Sequence, residues 1–179
     1  MEKYIVKVRS YFKDECIEYG TGVMIAVNLV LTPRHVACGD RYTVWIDDKE
    51  YQAYVIKEND FAVVLEISQS DYAFTVADIF SDDEILDEKS TWSFSGFISS
   101  QQCEHHMRGT GIIVSPASNL EWDYHLAATM TGRADNYQGL SGSPVFCDNR
   151  IVGILQMQAY NSGGALGVQG APKLMGGGG

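Results

Sequence analysis

Three stretches of the chain hold residue types that together can do acyl chemistry. N-Y-Q-G-L-S-G-S-P-V-F, Asn136–Phe146, sets Ser141 in a tight glycine turn that drops straight into an apolar strand. Such a turn is either a polar β-turn or a device that exposes a hydroxyl nucleophile and aims backbone N–H groups at an oxyanion. A serine hydroxyl is a weak nucleophile until a base takes its proton. The chemical reading therefore needs an imidazole, and a carboxylate to hold that imidazole, elsewhere in the chain.

His35 is the candidate base. It follows the apolar run V-N-L-V-L-T through Thr32-Pro33-Arg34-His35 and precedes Val36-Ala37, which puts the imidazole at a strand-to-turn corner. Of the other histidines, His105 and His106 lie in a polar stretch and His125 opens a strand. Asp60 is the candidate carboxylate among 23 acidic residues. It heads N-D-F-A-V-V-L-E-I, where a polar turn gives way to an apolar strand, and is expected to be partly buried there. Taken singly, His35 also reads as a structural corner histidine and Asp60 as a turn cap.

The elements that must position these residues are strands. Short runs rich in β-branched and aromatic residues recur: Tyr4–Val8, Gly22–Val27, Tyr42–Ile46, Tyr51–Ile56, Ala62–Ile67, Thr91–Phe97, Thr110–Ser115, His125–Met130, Pro144–Phe146, Ile151–Met157 and Ala165–Gln169. Turn signals such as D-D-K, E-N-D, D-N-R and N-S-G-G separate them, the pattern of an all-β sandwich or barrel. Ser81–Lys89 is the best helix candidate, with Ser81 as N-cap and acids in the first turn, and reads equally as a polar loop. No repeat is visible at solenoid or propeller periods.

Composition narrows the function classes. The 179 residues suit one domain or two small subdomains, and 45% hydrophobic against 20% charged residues allows a buried core. A net charge of −10 with no Lys or Arg cluster speaks against nucleic acid and anionic membrane as partners. The opening M-E-K-Y-I-V-K-V-R-S has no apolar core of a secretory signal, and no apolar run reaches membrane-spanning length. Cys16, Cys38, Cys103 and Cys147 have no metal-ligand spacing and read as reduced thiols of a cytoplasmic protein. No metal or other cofactor is implied. The ending M-G-G-G-G reads as a flexible tail or the start of a linker, residues 175–179, beyond which a regulatory domain or activating partner would lie.

Read in order, T-G-V-M-I-A…L-T-P-R-H-V, N-D-F-A-V-V-L and G-L-S-G-S-P-V-F…I-V-G-I resemble the chymotrypsin-like serine peptidases, the family that includes trypsin. The family signatures look like L-T-A-x-H, D-x-A-L-L and G-x-S-G-G-P in this chain order. The resemblance runs from Gly20 to about Lys173 and leans toward compact bacterial or viral members. It implies two packed antiparallel Greek-key β-barrels with the active site in the cleft between them. Residues 1–72 would form the barrel carrying His35 and Asp60, and residues 73–174 the barrel carrying Ser141.

The resemblance also implies roles. Ser141 would attack the scissile carbonyl of a protein or peptide substrate, His35 would act as base and then acid, and Asp60 would orient His35. The N–H groups of Gly139 and Ser141 would form the oxyanion hole. Asp135, six residues before the nucleophile, would lie at the base of the specificity pocket and favour Arg or Lys before the cut bond. Gln156 and Gln158, on the strand Gly153–Gln158, would line the pocket wall and bind substrate backbone, with Gln158 narrowing the mouth.

The chain departs from the pattern in four places. Ser143 replaces a glycine, and Leu140 replaces the aspartate that in many animal members pairs with a freshly cut N-terminus. Pro33-Arg34 replaces two small residues, and Cys38 is expected to pack as a small apolar side chain rather than form the family's disulfide. A restricted-specificity processing or regulatory endopeptidase fits this pattern. Two alternatives stand beside it: an inactive protease-fold scaffold that binds peptides, and an unrelated β-sandwich module whose motif arises by chance.

Overall fold

A computed structural model describes residues 4–46, 49–68, 91–99, 104–116, 124–131, 139–147, 150–158 and 165–170, with side chains described at 4–46, 49–68, 92–97, 139–147 and 151–156. The helix candidate Ser81–Lys89 lies outside the described residues. The first six strands are β1 (Ile5–Phe12), β2 (Glu15–Ala26), β3 (Leu29–Pro33), β4 (Arg41–Ile46), β5 (Lys49–Glu58) and β6 (Ala62–Ile67). The second six are β7 (Thr91–Ser99), β8 (Glu104–Pro116), β9 (Tyr124–Thr131), β10 (Pro144–Cys147), β11 (Arg150–Gln158) and β12 (Ala165–Gly170). Among the described residues no helix is long and apolar enough to cross a membrane.

The strands close into two antiparallel barrels. The first runs β1-β2-β3-β6-β5-β4 and the second β7-β8-β9-β12-β11-β10, each returning to its first strand. The strand order of the first barrel recurs in the second, although the sequence carries no repeat. Closure removes free edges from both sheets, which suits strands this rich in β-branched residues.

Period-2 burial fills the first barrel. Val6 and Val8 of β1, Met24 of β2, Val30 of β3, Val44 and Ile46 of β4, and Val63, Leu65 and Ile67 of β6 form one buried cluster. A second cluster joins the barrels: Val23, Leu31 and Ala62 of the first pack with Ile151 and Ile154 of the second. Tyr4 and Phe146 flank it with ring centroids 6.3 Å apart at 56°. That apolar seam sets the relation of the two barrels and hence of the residues at their rims.

Candidate active site

His35 leaves the end of β3 and Asp60 enters the start of β6, and these strands are neighbours. Their register runs from Leu29↔Glu66 to Pro33↔Ala62. The Arg34 N–H donates to the Phe61 carbonyl at 3.0 Å, which carries the pairing one step further. His35 follows Arg34 and Asp60 precedes Phe61, so both leave from this end of the ladder. A single helical turn then carries His35: the Val36 and Ala37 N–H groups both donate to the Pro33 carbonyl, at 3.1 and 3.3 Å.

At this turn Asn59, not Asp60, is the cap. Asn59 Oδ1 accepts the N–H groups of Phe61 and Ala62 at 2.8 and 2.9 Å. Asp60 is thereby freed of local duty, and its side chain is 93% exposed rather than partly buried. Its Oδ1 lies 3.9 Å from Arg34 Nη1, which also donates to the Asn59 carbonyl at 3.4 Å. Arg34, without an account from sequence, therefore belongs to the Asp60 turn.

His35 keeps an exposed edge, yet the protein around its ring desolvates it and lowers its pKa below the ordinary histidine value. The charge of Glu18 on β2 works against that shift. The placement follows from strand alternation, because Glu18 lies on the same face of β2 as Gly20. A Cβ on Gly20 would sit 2.7 Å from Val36 Cγ2 and 2.9 Å from the Ser141 carbonyl oxygen. Cys38 is exposed, a correction to the expected apolar packing, because Val36 and Ala37 take the buried positions of its turn. Burial and the Glu18 charge push its thiol pKa up. Cys16, Cys38 and Cys147 form no disulfide.

Ser141 sits in a turn shaped by two positive-φ glycines, Gly139 at 107° and Gly142 at 97°. Thr21 of β2 docks this turn onto the first barrel through its N–H and its hydroxyl, and all three of its polar groups are bonded. Its N–H donates to the Ser141 carbonyl at 2.8 Å and its hydroxyl to the Gly139 carbonyl at 2.8 Å. Its carbonyl accepts the Thr32 hydroxyl at 3.1 Å, and its hydroxyl oxygen accepts the Phe97 N–H at 3.1 Å. Sequence reasoning missed Thr21; the signal was a hydroxyl set directly between two glycines in Y-G-T-G-V, where the absent side chains let another segment approach.

The Ser141 hydroxyl donates to the Gln156 carbonyl at 3.0 Å, not to His35. Gln156 is buried at 8% exposure, and its Nε2 donates across the seam to the Phe61 carbonyl at 3.3 Å. It therefore ties β11, whose Gln156 carbonyl holds the Ser141 hydroxyl, to the residue after Asp60. Gln158 ends β11, paired with Leu166, and its side chain lies outside the described residues, as does all of Asp135. Among the described residues no group of three or more His, Cys, Asp or Glu can hold a metal.

The geometry thus brings a serine turn and a histidine corner to facing rims of two closed barrels. The family model described as Trypsin matches residues 7–171. The chain belongs to the trypsin family. It is a chymotrypsin-like serine endopeptidase, a hydrolase acting on proteins or peptides. The Rv3671c protease from M. tuberculosis in its active form is similar in structure, with TM-score 0.71 and 19% identity over 95% of this chain and 77% of that one. Its inactive form gives TM-score 0.69 and 19% identity over 96% and 85%. The serine endoprotease from Yersinia pestis gives 0.67 and 17% over 93% and 58%. No curated protein matches the chain.

Proposed function

We propose that this trypsin-family chain is a restricted-specificity processing or regulatory protease acting through His35, Asp60 and Ser141. The observation that supports the reading is the β3–β6 pairing, which runs to Pro33↔Ala62 and so brings the strand ends next to His35 and Asp60 together, while the Thr21 N–H seats the Ser141 turn on the same barrel. Ser141 Oγ attacks the scissile carbonyl and passes its proton to His35. The oxyanion is held by the Gly139 and Ser141 N–H groups. His35 then protonates the leaving amine, and the acyl group stays on Ser141 until a water, deprotonated by His35, releases it.

Two side chains move on entry to this cycle. The Ser141 hydroxyl leaves the Gln156 carbonyl, which is then open to a substrate N–H. Asp60 leaves Arg34 and turns to His35; the pair it abandons is exposed and weak, so little opposes the move. Asp135 supplies a P1 preference for Arg or Lys, and Gln158 narrows the pocket mouth. Residues 1–72 and 73–174 are the two catalytic halves. The absence of a disulfide at Cys16, Cys38 and Cys147 favours a cytoplasmic setting.

The resting geometry, with the Ser141 hydroxyl on Gln156 and Asp60 on Arg34, also favours a second reading, a peptide-binding scaffold. Fluorophosphonate labelling read by intact mass separates the two. A single adduct on the wild type, lost in Ser141→Ala and much weakened in His35→Ala, is expected. An unlabelled, well-folded wild type that also cleaves no peptide overturns the protease reading in favour of the scaffold.

A further inference from the structure

Ser143 stands where the resembling signature carries glycine, and its side chain is fully buried. Its hydroxyl donates to the Leu140 carbonyl oxygen at 2.6 Å, and its own N–H donates to the same oxygen at 2.9 Å. The Leu140 carbonyl and the Ser141 N–H are opposite ends of one planar peptide group. Holding the oxygen therefore sets the direction of the N–H. Two donors on that oxygen also polarise the amide and strengthen its N–H as a donor.

The fold makes room for this hydroxyl. A Cβ on Gly96 of β7 would lie 1.8 Å from Ser143 Oγ and 2.9 Å from Ser143 Cβ, so any side chain there would expel it. Thr21 completes the frame by bonding the Gly139 and Ser141 carbonyls, the peptide groups on either side. Three successive carbonyls of the turn, at 139, 140 and 141, are thus each held by a named donor.

We propose that Ser143 is a positioning residue for the oxyanion hole, its hydroxyl fixing and polarising the Leu140–Ser141 peptide whose N–H receives the oxyanion. The inference rests on the endopeptidase reading. A glycine at this position leaves one donor on the Leu140 carbonyl; the serine supplies two. The gain falls where negative charge develops in the transition state and is small in the substrate complex.

The test compares wild type with Ser143→Ala on one peptide substrate and one peptide aldehyde, whose hemiacetal oxygen occupies the oxyanion hole. Loss of a whole oxyanion donor costs about 10²–10³ in rate, so weakening one should lower kcat roughly tenfold. KM should stay unchanged, and the aldehyde inhibition constant should rise by the same factor as kcat/KM falls. Ser143→Cys, a weaker donor of similar shape, should give an intermediate loss with a near-wild-type Tm, and it serves if the alanine variant does not fold. Wild-type kcat and aldehyde affinity in the variants overturn the inference. So does a loss of kcat that aldehyde affinity does not follow, the mark of a purely structural role. A wild type that neither labels nor cleaves removes the endopeptidase reading and this inference with it.

Discussion

Thr21 and Ser141 are joined across the two barrels, the Thr21 N–H donating to the Ser141 carbonyl at 2.8 Å. Around that bond the Thr21 side chain is wholly buried and binds the Gly139 carbonyl and the Phe97 N–H. Thr21→Val keeps the shape and strands both groups. Each buried group left without a partner costs about 1–3 kcal/mol, so Tm should fall by roughly 5–15 °C in a chain of this size. Calorimetry beside the Thr32→Val variant, which removes one donor only, should give a smaller drop. An unchanged Tm in Thr21→Val would mean that the turn is held elsewhere.

The Arg34–Asp60 pair makes the second prediction. At 3.9 Å and with both side chains exposed it should contribute almost nothing to stability, so Arg34→Ala should leave Tm unchanged. Asp60→Asn should also leave Tm unchanged yet lower kcat by about 10⁴, since an amide holds the wrong imidazole tautomer. If Asp60→Asn keeps most of the activity, Asp60 is a surface residue and the carboxylate of the site lies elsewhere.

Much of the architecture was legible in the chain because apolar patterning carries it. Ala62–Ile67 reads as a buried strand and is one, and eleven apolar runs each fall on a strand. What patterning could not reveal are strand segments that are polar. Residues 15–21 of β2 and 104–109 of β8 carry acids, histidines and glycines, and they are strands because β1 and β7 pair with them. The site divides similarly. The serine turn shows its two glycines in the sequence, and both have positive φ. The Asp60 side chain does not follow the sequence, because Asn59 caps the turn and leaves its neighbour in solvent. Contacts between distant segments, such as Ser143 with Gly96 or Gln156 with Phe61, have no local signature at all.

The pH profile supplies a third prediction. His35 works as a base only when neutral. Desolvation lowers its pKa, so the neutral form persists to lower pH and the acid limb of kcat/KM should lie below the ordinary histidine value of about 6.5. The Glu18 charge raises that pKa, so Glu18→Gln should move the limb further toward acid. A limb above the ordinary value, or a shift toward base in Glu18→Gln, would contradict the electrostatics described.

Specificity gives the fourth. If Asp135 floors the P1 pocket, peptides with Arg or Lys before the scissile bond should be cut best. Asp135→Ser should then abolish that preference while leaving fluorophosphonate labelling of Ser141 intact. Equal cleavage of neutral and basic P1 peptides by the wild type would make Asp135 a turn residue.

Gly142 is the point where the turn has least freedom. Its φ is 97°, and a Cβ there would lie 1.8 Å from the Thr21 carbonyl oxygen and 2.9 Å from Pro33 Cδ. Both contacts belong to elements that carry the site, β2 and the strand end before His35. The Thr21 carbonyl cannot yield freely, since it accepts the Thr32 hydroxyl within the same barrel. Pro33 cannot swing aside, because its carbonyl nucleates the turn bearing His35. Gly142→Ala therefore combines a left-handed backbone with overpacking and should cost at least about 3 kcal/mol. The turn should also lift off β2, breaking the bond from the Thr21 N–H to the Ser141 carbonyl, now 2.8 Å. Thermal melts and fluorophosphonate labelling should therefore fail together. A variant that keeps its Tm but loses labelling would instead show that the turn can shift as a unit without unseating the barrels.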